Sequence, residues 1–355
     1  MAKDASVAVN DLPKISVVVP AYKATHHLRR SLPPLHDMLT KGDIFELIVA
    51  DDHSPDDTAA VAASLGARVI TLPKNVGPGA ARNYAADFAR GDVLWFVDAD
   101  VVVHPDGGKI VQDTFKDPTV AAVFGSYDET PSVANFASQY KNLTHHFYHQ
   151  RAREEASTFW SGCGAVRRET FLKMDGFDVT LFSKPSVEDI ELGYRLRAQG
   201  DRVLLRRDLL STHLKKWTLK EVIIVDIFRR AIPWSRLMIR RKMELTNDLN
   251  INKTERARAL LAGLLVLSFL APIFGVWLWL VPAGMLALVF AANFEFFVFM
   301  MRAHGLFFGI GATLFHQVYY LYSGVSYAYC LAEEVLGLKN LRVAVVSTVR
   351  PRARA

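Results

Sequence analysis

The sequence predicts an α/β protein in which a doubly wound sheet is followed by helices that enter a membrane. Three observations lead to this prediction. Short apolar runs alternate with helical segments over the first part of the chain, as in doubly wound sheets. Two of these runs end in acidic residues. Further along, no Asp, Glu, Lys or Arg occurs between Arg258 and Glu295, and that stretch is longer than one membrane span needs.

Apolar, β-branched runs predict five strands, and the segments between them predict three helices. The second helix is expected to begin near Ser54, because serine suits an N-cap and Pro55 suits the first turn. Pro33 and Pro34 interrupt the first helical pattern. The expected strands cover 15–19, 45–50, 68–72, 93–97 and 121–124, and the expected helices cover 27–39, a segment from 54 onward and 79–90.

Composition narrows the class of protein. Of the 355 residues, 51% are hydrophobic, which is high for a soluble enzyme and favours a membrane segment. The only cysteines, Cys163 and Cys330, exclude a disulfide framework and fit a reducing compartment. The polar N-terminus is not expected to be a secretory signal peptide, so insertion is expected from the C-terminal third.

Positive charge is concentrated in one block. The net charge is +6, and residues 202–258 hold fifteen Lys or Arg against six Asp or Glu. Such a block suits nucleic acid or anionic lipid. Because apolar residues interleave with the charges and a membrane stretch follows, we expect lipid and no nucleic acid. Residues 221–242 are expected to form a helix in the membrane interface, the alternative being a basic surface helix packed on the core.

The apolar stretch fixes the expected domain plan. As one helix, residues 259–294 would extend about 50 Å, against a hydrocarbon core of about 30 Å. Two spans with a turn near 280–282 fit better, while 303–332 either crosses, re-enters or lies flat. The basic block predicts a cytoplasmic catalytic domain at the cell inner membrane. The expected units are a flexible tail (1–13), a catalytic domain (14–220), a basic interfacial segment (221–256), a membrane region (257–332) and a basic tail (333–355).

The strongest chemical signal follows the fourth expected strand. The run VLWFV leads directly into Asp98-Ala99-Asp100, and ligands of such sheets bind beyond the carboxyl ends of the strands. Carboxylates suit Mg²⁺ or Mn²⁺ bound together with substrate phosphates. The metal would stabilise the charge on a leaving diphosphate. A short acidic triplet alone is a weak signal, but its place after a buried strand strengthens it.

Residues 15–234 resemble the inverting GT-A glycosyltransferases of family 2. Six segments occur in that family's order, and together they cover most of the part before the membrane region. The segments are VVVPAYKA (17–24), IVADDHSPDDT (48–58), PKNVGPGAARN (73–83), WFVDADVVVHPD (95–106), GCGAVRRETFLKMDGFD (162–178) and EDIELGYRLRAQG (188–200).

This resemblance implies a GT-A, Rossmann-like nucleotide-binding domain that transfers a hexose-type sugar with inversion and uses Mn²⁺ or Mg²⁺. The expected donor is a nucleotide diphosphate sugar, UDP-linked rather than GDP-linked. The membrane region suggests a lipid or lipid-linked acceptor, such as a polyprenyl phosphate. The alternatives are a polysaccharide acceptor, nucleotidyl transfer, and a non-catalytic scaffold that binds a nucleotide sugar.

The resemblance also assigns donor-binding positions. Pro20, Ala21 and Tyr22 would line the base pocket. Asp52, or Asp51 beside it, would accept a hydrogen bond from the base. The glycine-rich turn at 75–79 leads into a helix N-terminus, which favours phosphate. The full expected set is Pro20, Ala21, Tyr22, Asp51, Asp52, Asn75, Gly79, Arg82, Asp98, Ala99, Gly162, Arg230 and Trp234.

The acid pair Glu188-Asp189 supplies the expected catalytic residues. The resemblance makes Asp189 the general base that takes the acceptor proton, with inversion requiring no covalent nucleophile. The alternative is an acidic helix start that favours the helix dipole. The expected metal ligands are Asp98, Asp100 and His213.

Two further features leave alternatives open. The family's basic-aromatic element normally ends in adjacent Arg-Trp, whereas this chain has Arg-Arg-Ala-Ile-Pro-Trp at 229–234. Arg230 is the chosen counterpart, and membrane-surface charge is the alternative. His145 and His149 lie one helical turn apart, but no nearby Cys or Glu pattern completes a zinc site. Surface or acceptor-groove histidines are therefore preferred.

Overall fold

A computed structural model describes residues 12–182, 184–241 and 252–337. Most of the expected N-terminal tail, part of the basic segment and most of the basic C-terminal tail lie outside the described residues. Within them, the chain forms a mixed α/β, Rossmann-like sheet domain followed by helices.

The catalytic-domain sheet has eight strands in the described part of the chain, in the order β3-β2-β1-β4-β7-β6-β8-β5. Strands β1, β2, β3 and β4 pair in parallel, and β7 is antiparallel to both of its neighbours. The strands are β1 Ile15–Ala21, β2 Glu46–Asp51, β3 Arg68–Thr71, β4 Val93–Val97, β5 Val101–Val103, β6 Val120–Tyr127, β7 Cys163–Arg167 and β8 Arg202–His213.

The strand order reverses between β1 and β4. From β1 the chain moves outward through β2 and β3, and β4 then returns to the other side of β1. Such a switch point opens a crevice at the carboxyl ends of the strands. Pro20 near the end of β1 and Asp98 directly after β4 lie at this crevice.

Three strands were not expected from the sequence. β5 has only three residues, and β8 carries Arg206, Arg207 and Asp208 in its middle, so neither shows a continuous apolar run. β7, with the sequence CGAVR, is short and begins with a glycine-containing pair. Each is recognisable only through its pairing with β4, β6 or another neighbour.

Seven helices pack around the sheet in residues 12–198. Helix α1 continues through Pro33 and Pro34 without a break. Helix α2 begins at Thr58 rather than near Ser54, because the Asp51 carboxylate accepts the Ser54 N–H and the intervening residues form turns. The helices are α1 Thr25–Lys41, α2 Thr58–Ser64, α3 Pro78–Phe88, α4 Gly107–Thr114, α5 Phe136–Arg151, α6 Arg168–Lys173 and α7 Glu188–Ala198.

The central strands bury side chains on both faces of the sheet. Trp95 belongs to one hydrophobic cluster with α1 and α4, and Phe96 belongs to the other with α3 and α6. Because successive strand residues point to opposite faces, β4 anchors both layers. Its carboxyl end is therefore held rigidly where the acidic residues begin.

After the sheet, one continuous helical stretch covers 219–240. It consists of α8 (Leu219–Val225), a π-helical segment (Asp226–Ala231) and α9 (Ile232–Arg240). The remaining helices are α10 Lys253–Ser268, α11 Leu280–Ala292, α12 Phe294–His304 and α13 Leu306–Val335.

The chain reverses at 271–279, in two short 3₁₀ turns, and not at 280–282 as expected. Gly275 separates the two turns, whereas Pro282 lies within the first turn of α11, where a missing N–H is tolerated.

Among the described helices, Lys253–Phe274 is long and apolar enough to cross a membrane, with a mean hydropathy of 2.1. A second such element exists if Val276–Ala292 and Phe294–His304, bent by 75°, are counted as one span.

A buried polar network joins the C-terminal helices to α5. The Glu255 carboxylate accepts hydrogen bonds from Tyr148 (2.7 Å) and Tyr320 (2.5 Å). The His316 ring bonds the hydroxyls of Tyr140 and Tyr148 at 2.8 and 2.9 Å. These bonds satisfy polar groups in otherwise apolar helices and fix α10 and α13 against the catalytic domain.

Replacing Gly125 with alanine should destabilise the sheet. A Cβ there would lie 2.1 Å from the carbonyl oxygen of Leu209 on β8, and relieving such an overlap costs roughly 1–3 kcal/mol. Thermal unfolding in detergent should show a lower Tm for Gly125→Ala. Gly284→Ala, where a Cβ meets nothing within 4 Å, is the matched control; equal Tm values for the two variants would contradict this account.

Candidate active site

A cavity of about 1030 Å³ opens at the crevice between β1 and β4 and extends to the C-terminal helices. It gathers most of the residues singled out from the sequence. Those on its wall are Pro20, Tyr22, Arg82, Asp98, Ala99, Asp100, Gly162, Glu188, Asp189, His213, Arg230 and Trp234.

The acidic loop after β4 is fastened through its backbone. The N–H of Asp98 donates to the carbonyl of Gly162 (3.1 Å), and the carbonyl of Asp100 accepts from the N–H of Leu214 (2.8 Å). The Ser31 hydroxyl donates to the carbonyl of Ala99 at 2.8 Å. These bonds use only backbone groups of the loop, and the Asp98 and Asp100 side chains line the cavity.

Asp98 is paired with Arg82. The guanidinium is buried, donates to Oδ1 of Asp98 and lies over the ring of Phe177. Arg82 belongs to α3, whose start at Pro78 also lines the cavity. This geometry places a fixed positive charge and a helix N-terminus at one wall, an arrangement that favours phosphate.

Asp100 faces His213. The imidazole Nε2 lies 3.4 Å from Oδ2 of Asp100, while Nδ1 lies 2.9 Å from Oδ1 of Asn142. Burial alone would raise the pKa of Asp100, but the hydrogen bond and charge of His213 outweigh it and lower that pKa. No three His, Cys, Asp or Glu side chains in the described ranges form a complete metal cage. Metal binding at Asp98, Asp100 and His213 therefore stays a prediction.

Asp189 lies at the N-terminus of α7 and is held by three donors. Its Oδ2 accepts from the N–H and the hydroxyl of Ser161 (3.1 and 3.2 Å), and its Oδ1 accepts from the N–H of Ile190 (2.8 Å). These three hydrogen bonds fix the orientation of the Asp189 carboxylate at the cavity wall.

Glu188 differs from its neighbour. Its side chain is buried and accepts from the N–H of Ser186 at 2.7 Å. Burial raises its pKa, and the charge of Asp189 raises it further. The two acids of the pair therefore lie in different environments: Glu188 is buried, whereas Asp189 is partly exposed and held by three donors.

Five expected donor-binding residues are not brought to the cavity wall. Asp52 is buried, and its two carboxylate oxygens accept the N–H groups of Val76 (2.8 Å) and Gly77 (2.7 Å). Asp51 is likewise buried and caps the turn at Ser54. Because these carboxylates secure loops, their contact with a donor stays a prediction. The five residues are Ala21, Asp51, Asp52, Asn75 and Gly79.

The 219–240 helical stretch closes one side of the cavity. Trp234 donates through Nε1 to the hydroxyl of Tyr194 on α7 (2.8 Å). Glu191, also on α7, is ion-paired to both Arg195 and Arg241. These contacts tie the helix that bears the acid pair to the basic helical stretch. Arg230, on the π-helical segment, projects an exposed side chain at the cavity.

Several cavity residues were not expected from the sequence. Ser161 and Lys141 carry no motif, and their placement depends on remote pairing. His145 and His149 line the cavity and pack against Trp160, so they lie in a groove, one of the two expected placements. Burial lowers the pKa of His149 to about 4 and lowers the pKa of His145 well below its ordinary value. Gly162 is close to the same indole, which lies 2.5 Å from where a Cβ would stand.

Glu188→Gln should stabilise the protein in a pH-dependent way. An acid whose pKa is raised by folding contributes stability below its unfolded pKa, about 4.3, and loses it as pH rises through the folded value. The Tm difference between variant and wild type should therefore grow from acid to neutral pH. The exposed Glu169→Gln is the control, and a pH-independent difference for Glu188→Gln would argue against the raised pKa.

Comparisons with known proteins agree with this architecture. The family model "Glycosyl transferase family 2" matches residues 16–174. The succinoglycan biosynthesis protein ExoO of Rhizobium meliloti is 34% identical over 102 residues, 28% of this chain and 29% of ExoO. A validoxylamine A glucosyltransferase of Streptomyces hygroscopicus is 26% identical over 234 residues, 57% of this chain and 51% of the relative.

The fold itself is shared with a solved structure. The mannosyltransferase PcManGT from Pyrobaculum calidifontis, solved with GDP-Man and Mn²⁺, superposes with a TM-score of 0.53 at 17% identity. The match covers 90% of this chain and 88% of PcManGT. In contrast, the chain spans between about a third and half the length of the first curated relatives it matches. The sheet domain thus has the GT-A fold, and within it residues 16–174 carry a domain of glycosyl transferase family 2.

Proposed function

We propose that this protein is an inverting glycosyltransferase that moves a sugar from a nucleotide diphosphate sugar to a membrane-associated acceptor. One observation carries the proposal: Asp98, Asp100 and Asp189, distant in sequence, line one cavity at the switch point of the sheet. The combination supplies a cation site for a leaving diphosphate and a separate carboxylate base.

The donor is proposed to lie along the wall formed by β1, α3 and the acidic loop. The base would contact Pro20 and Tyr22, and the diphosphate would face Arg82 and the start of α3. A UDP sugar is preferred to a GDP sugar. Arg230 and Trp234 are assigned to the opposite side of the diphosphate.

The ion is proposed to be Mn²⁺ or Mg²⁺, held by Asp98, Asp100 and His213. When bound, it would offset the negative charge of the leaving diphosphate. The complex of PcManGT with GDP-Man and Mn²⁺ supports a divalent ion with a nucleotide sugar in this fold.

Asp189 is proposed as the general base. The acceptor oxygen attacks the anomeric carbon, its proton passes to the Asp189 carboxylate, and the electrons of the broken bond leave with the nucleotide diphosphate. Attack opposite to the leaving group inverts the anomeric centre. Ser161 and Ile190 hold the carboxylate by hydrogen bonds, so little reorganisation is needed.

A membrane location is proposed from the C-terminal helices. Helix 253–274 and the bent pair 276–304 are apolar enough to span, and the basic block favours a catalytic domain on the cytoplasmic side of the cell inner membrane. A lipid or lipid-linked acceptor is the first choice. A polysaccharide acceptor is the second, favoured by the likeness to a protein named for succinoglycan biosynthesis.

Asp189→Asn should abolish transfer while leaving donor binding intact. Loss of a general base typically lowers the rate by about 10²–10⁴-fold, whereas the amide keeps the size of the carboxylate. Turnover and nucleotide-sugar binding should be measured on the same preparation. Asp113→Asn, on the exposed face of α4, is the control. Equal losses of binding and turnover would remove Asp189 from the role of base.

Nucleotide sugars should raise the Tm in a metal-dependent way. A ligand at a hundred times its Kd stabilises by about 2.7 kcal/mol. Detergent-purified protein should be screened against UDP, GDP, CMP and their sugars, with and without Mn²⁺. The metal-dependent part of the shift should vanish in Asp100→Ala. A shift in that variant equal to the wild type would exclude Asp100 from the metal site, and no shift with any nucleotide would count against the transferase itself.

A further inference from the structure

We propose that α13 does not cross the membrane but lies along the bilayer surface, on the side of the catalytic domain and with one apolar face in the lipid. The inference rests on the membrane location proposed above, because it says how the C-terminal helices meet that bilayer.

The chain is back at the catalytic domain before α13 begins. Helices α11 and α12 meet at an angle of 75°, and α12 packs against α5 through the rings of Phe296 and Phe147, whose centroids lie 5.2 Å apart. At the end of α12, His304 forms a 2.6 Å hydrogen bond with Gln139 of α5. Gly305 alone separates His304 from α13, so α13 starts on the side of the catalytic domain.

The first half of α13 is attached to α5. The ring centroid of Phe308 lies 5.3 Å from that of Phe136, and His316 bonds the hydroxyls of Tyr140 and Tyr148. All three partners belong to α5. This part of α13 therefore runs along the catalytic domain and not away from it.

The second half of α13 is attached to the π-helical segment and to α9. The Tyr322 hydroxyl donates to Asp226 at 2.8 Å, and the Arg236 guanidinium donates to both carboxylate oxygens of Glu333 at 3.0–3.2 Å. Helix α9 is itself bound to α7 through the indole of Trp234. The end of α13 therefore lies on the same side as its start.

The length of the attached part excludes a crossing. At 1.5 Å per residue, Phe308 and Glu333 are about 38 Å apart along the helix axis, whereas the hydrocarbon core is about 30 Å thick. If α13 crossed, the partner of one of these residues would lie beyond the bilayer. However, α5 is bound to β6 by a 2.9 Å hydrogen bond between His149 and the carbonyl of Gly125, and α9 is bound to α7 through Trp234.

A different face of α13 is apolar and exposed. It carries five large side chains spaced by seven, four, seven and four residues, which is the repeat of a single helix face. Their exposed fractions range from 40% to 89%. The only Asp, Glu, Lys or Arg residues of α13 are Glu333 and Glu334, near its end. The five side chains are those of Phe307, Leu314, Val318, Val325 and Tyr329.

The occupant of this face is the lipid leaflet next to the catalytic domain. Val325 belongs to the exposed face and also to a groove of about 250 Å³, whose wall includes Leu264 and Leu267 of α10. Helix α10 is the first part of the apolar element Lys253–Phe274, so lipid that surrounds α10 continues directly onto α13. Burial of the apolar face in the membrane interface stabilises a helix in this orientation.

This orientation has a consequence for the active site. Tyr320 and Ser323 of α13 line the active-site cavity. Because the same helix carries the side chains that enter the lipid, one wall of the cavity lies at the bilayer surface.

Labelling from each side of membrane vesicles of known orientation tests the path of the chain. An impermeant maleimide is applied to Glu334→Cys at the end of α13, with Lys109→Cys marking the catalytic domain and Val276→Cys the reversal before α11. The native Cys163 and Cys330 are buried, and the wild type measures their background. Glu334→Cys and Lys109→Cys should react from the same side. Reaction of these two variants from opposite sides overturns the proposal.

Fluorescence quenching by brominated lipids tests the depth of the apolar face. A dye attached to Phe307→Cys, Val318→Cys or Tyr329→Cys should lose more fluorescence with bromines near the head group than with bromines near the chain end. Val266→Cys on α10 is the deep reference, and Lys109→Cys is the unquenched control.

Two results of the quenching experiment overturn the proposal. A crossing helix would place position 318 near the bilayer centre, so that bromines near the chain end would quench it more strongly. The absence of quenching at all three positions would mean that protein, such as a second copy of the chain, covers the face instead of lipid.

The reference positions keep this inference apart from the proposed membrane spans. If Val276→Cys reacts from the catalytic side, the spans fail, while shallow quenching along α13 still supports a helix on the surface. If Val276→Cys and Glu334→Cys both react from the far side, the spans stand and the position of α13 fails. The thermal shift with nucleotide sugars tests the transferase function independently of both.

Discussion

The site depends on how the fold balances the negative charge of the carboxylates that it brings together. Carboxylates held close together repel one another, and three partly exposed acidic side chains lie near the end of β4. Arg82 from α3 pairs with Asp98, and His213 at the end of β8 faces Asp100. Ser161, two residues before β7, bonds Asp189. Elements from remote parts of the chain thus converge on one sheet edge, and each supplies a partner for one acid.

The parallel half of the sheet was predictable because its central strands are buried on both faces and read as apolar runs. In the other half, β6 was predicted from its apolar run, whereas β8 was not, since the charges within it hide its pattern. The residues of the site were likewise predictable only in part. Asp98 and Asp100 could be placed by their position after a strand, and Asp189 by family resemblance. Ser161 could not, because only tertiary packing brings it to α7. Asp52 is the opposite case. The acid at this strand end was recognised from the sequence, but its carboxylate accepts hydrogen bonds from the N–H groups of a loop, and its contact with a donor stays a prediction.

Polar residues in the last helix were the main ambiguity of the membrane region. His316 and Tyr320 weaken the hydrophobic pattern of 303–332, so the sequence did not decide between a span and a surface helix. Their partners are Tyr140, Tyr148 and Glu255, which lie on α5 and α10. His316 and Tyr320 therefore belong to the interface that the last helix forms with α5 and α10. The spacing of residues along one helix cannot predict such an interface.

The π-helical segment has a consequence for the register of the whole basic stretch. Its first residue, Asp226, accepts hydrogen bonds from Lys141 and Tyr322, and Trp234, three residues after its end, donates to Tyr194. Each residue of a helix turns its successors by about 100°, and a π turn accommodates one residue more than an α turn. Deleting one residue from the segment would therefore keep both halves helical yet rotate Trp234 away from Tyr194 on α7.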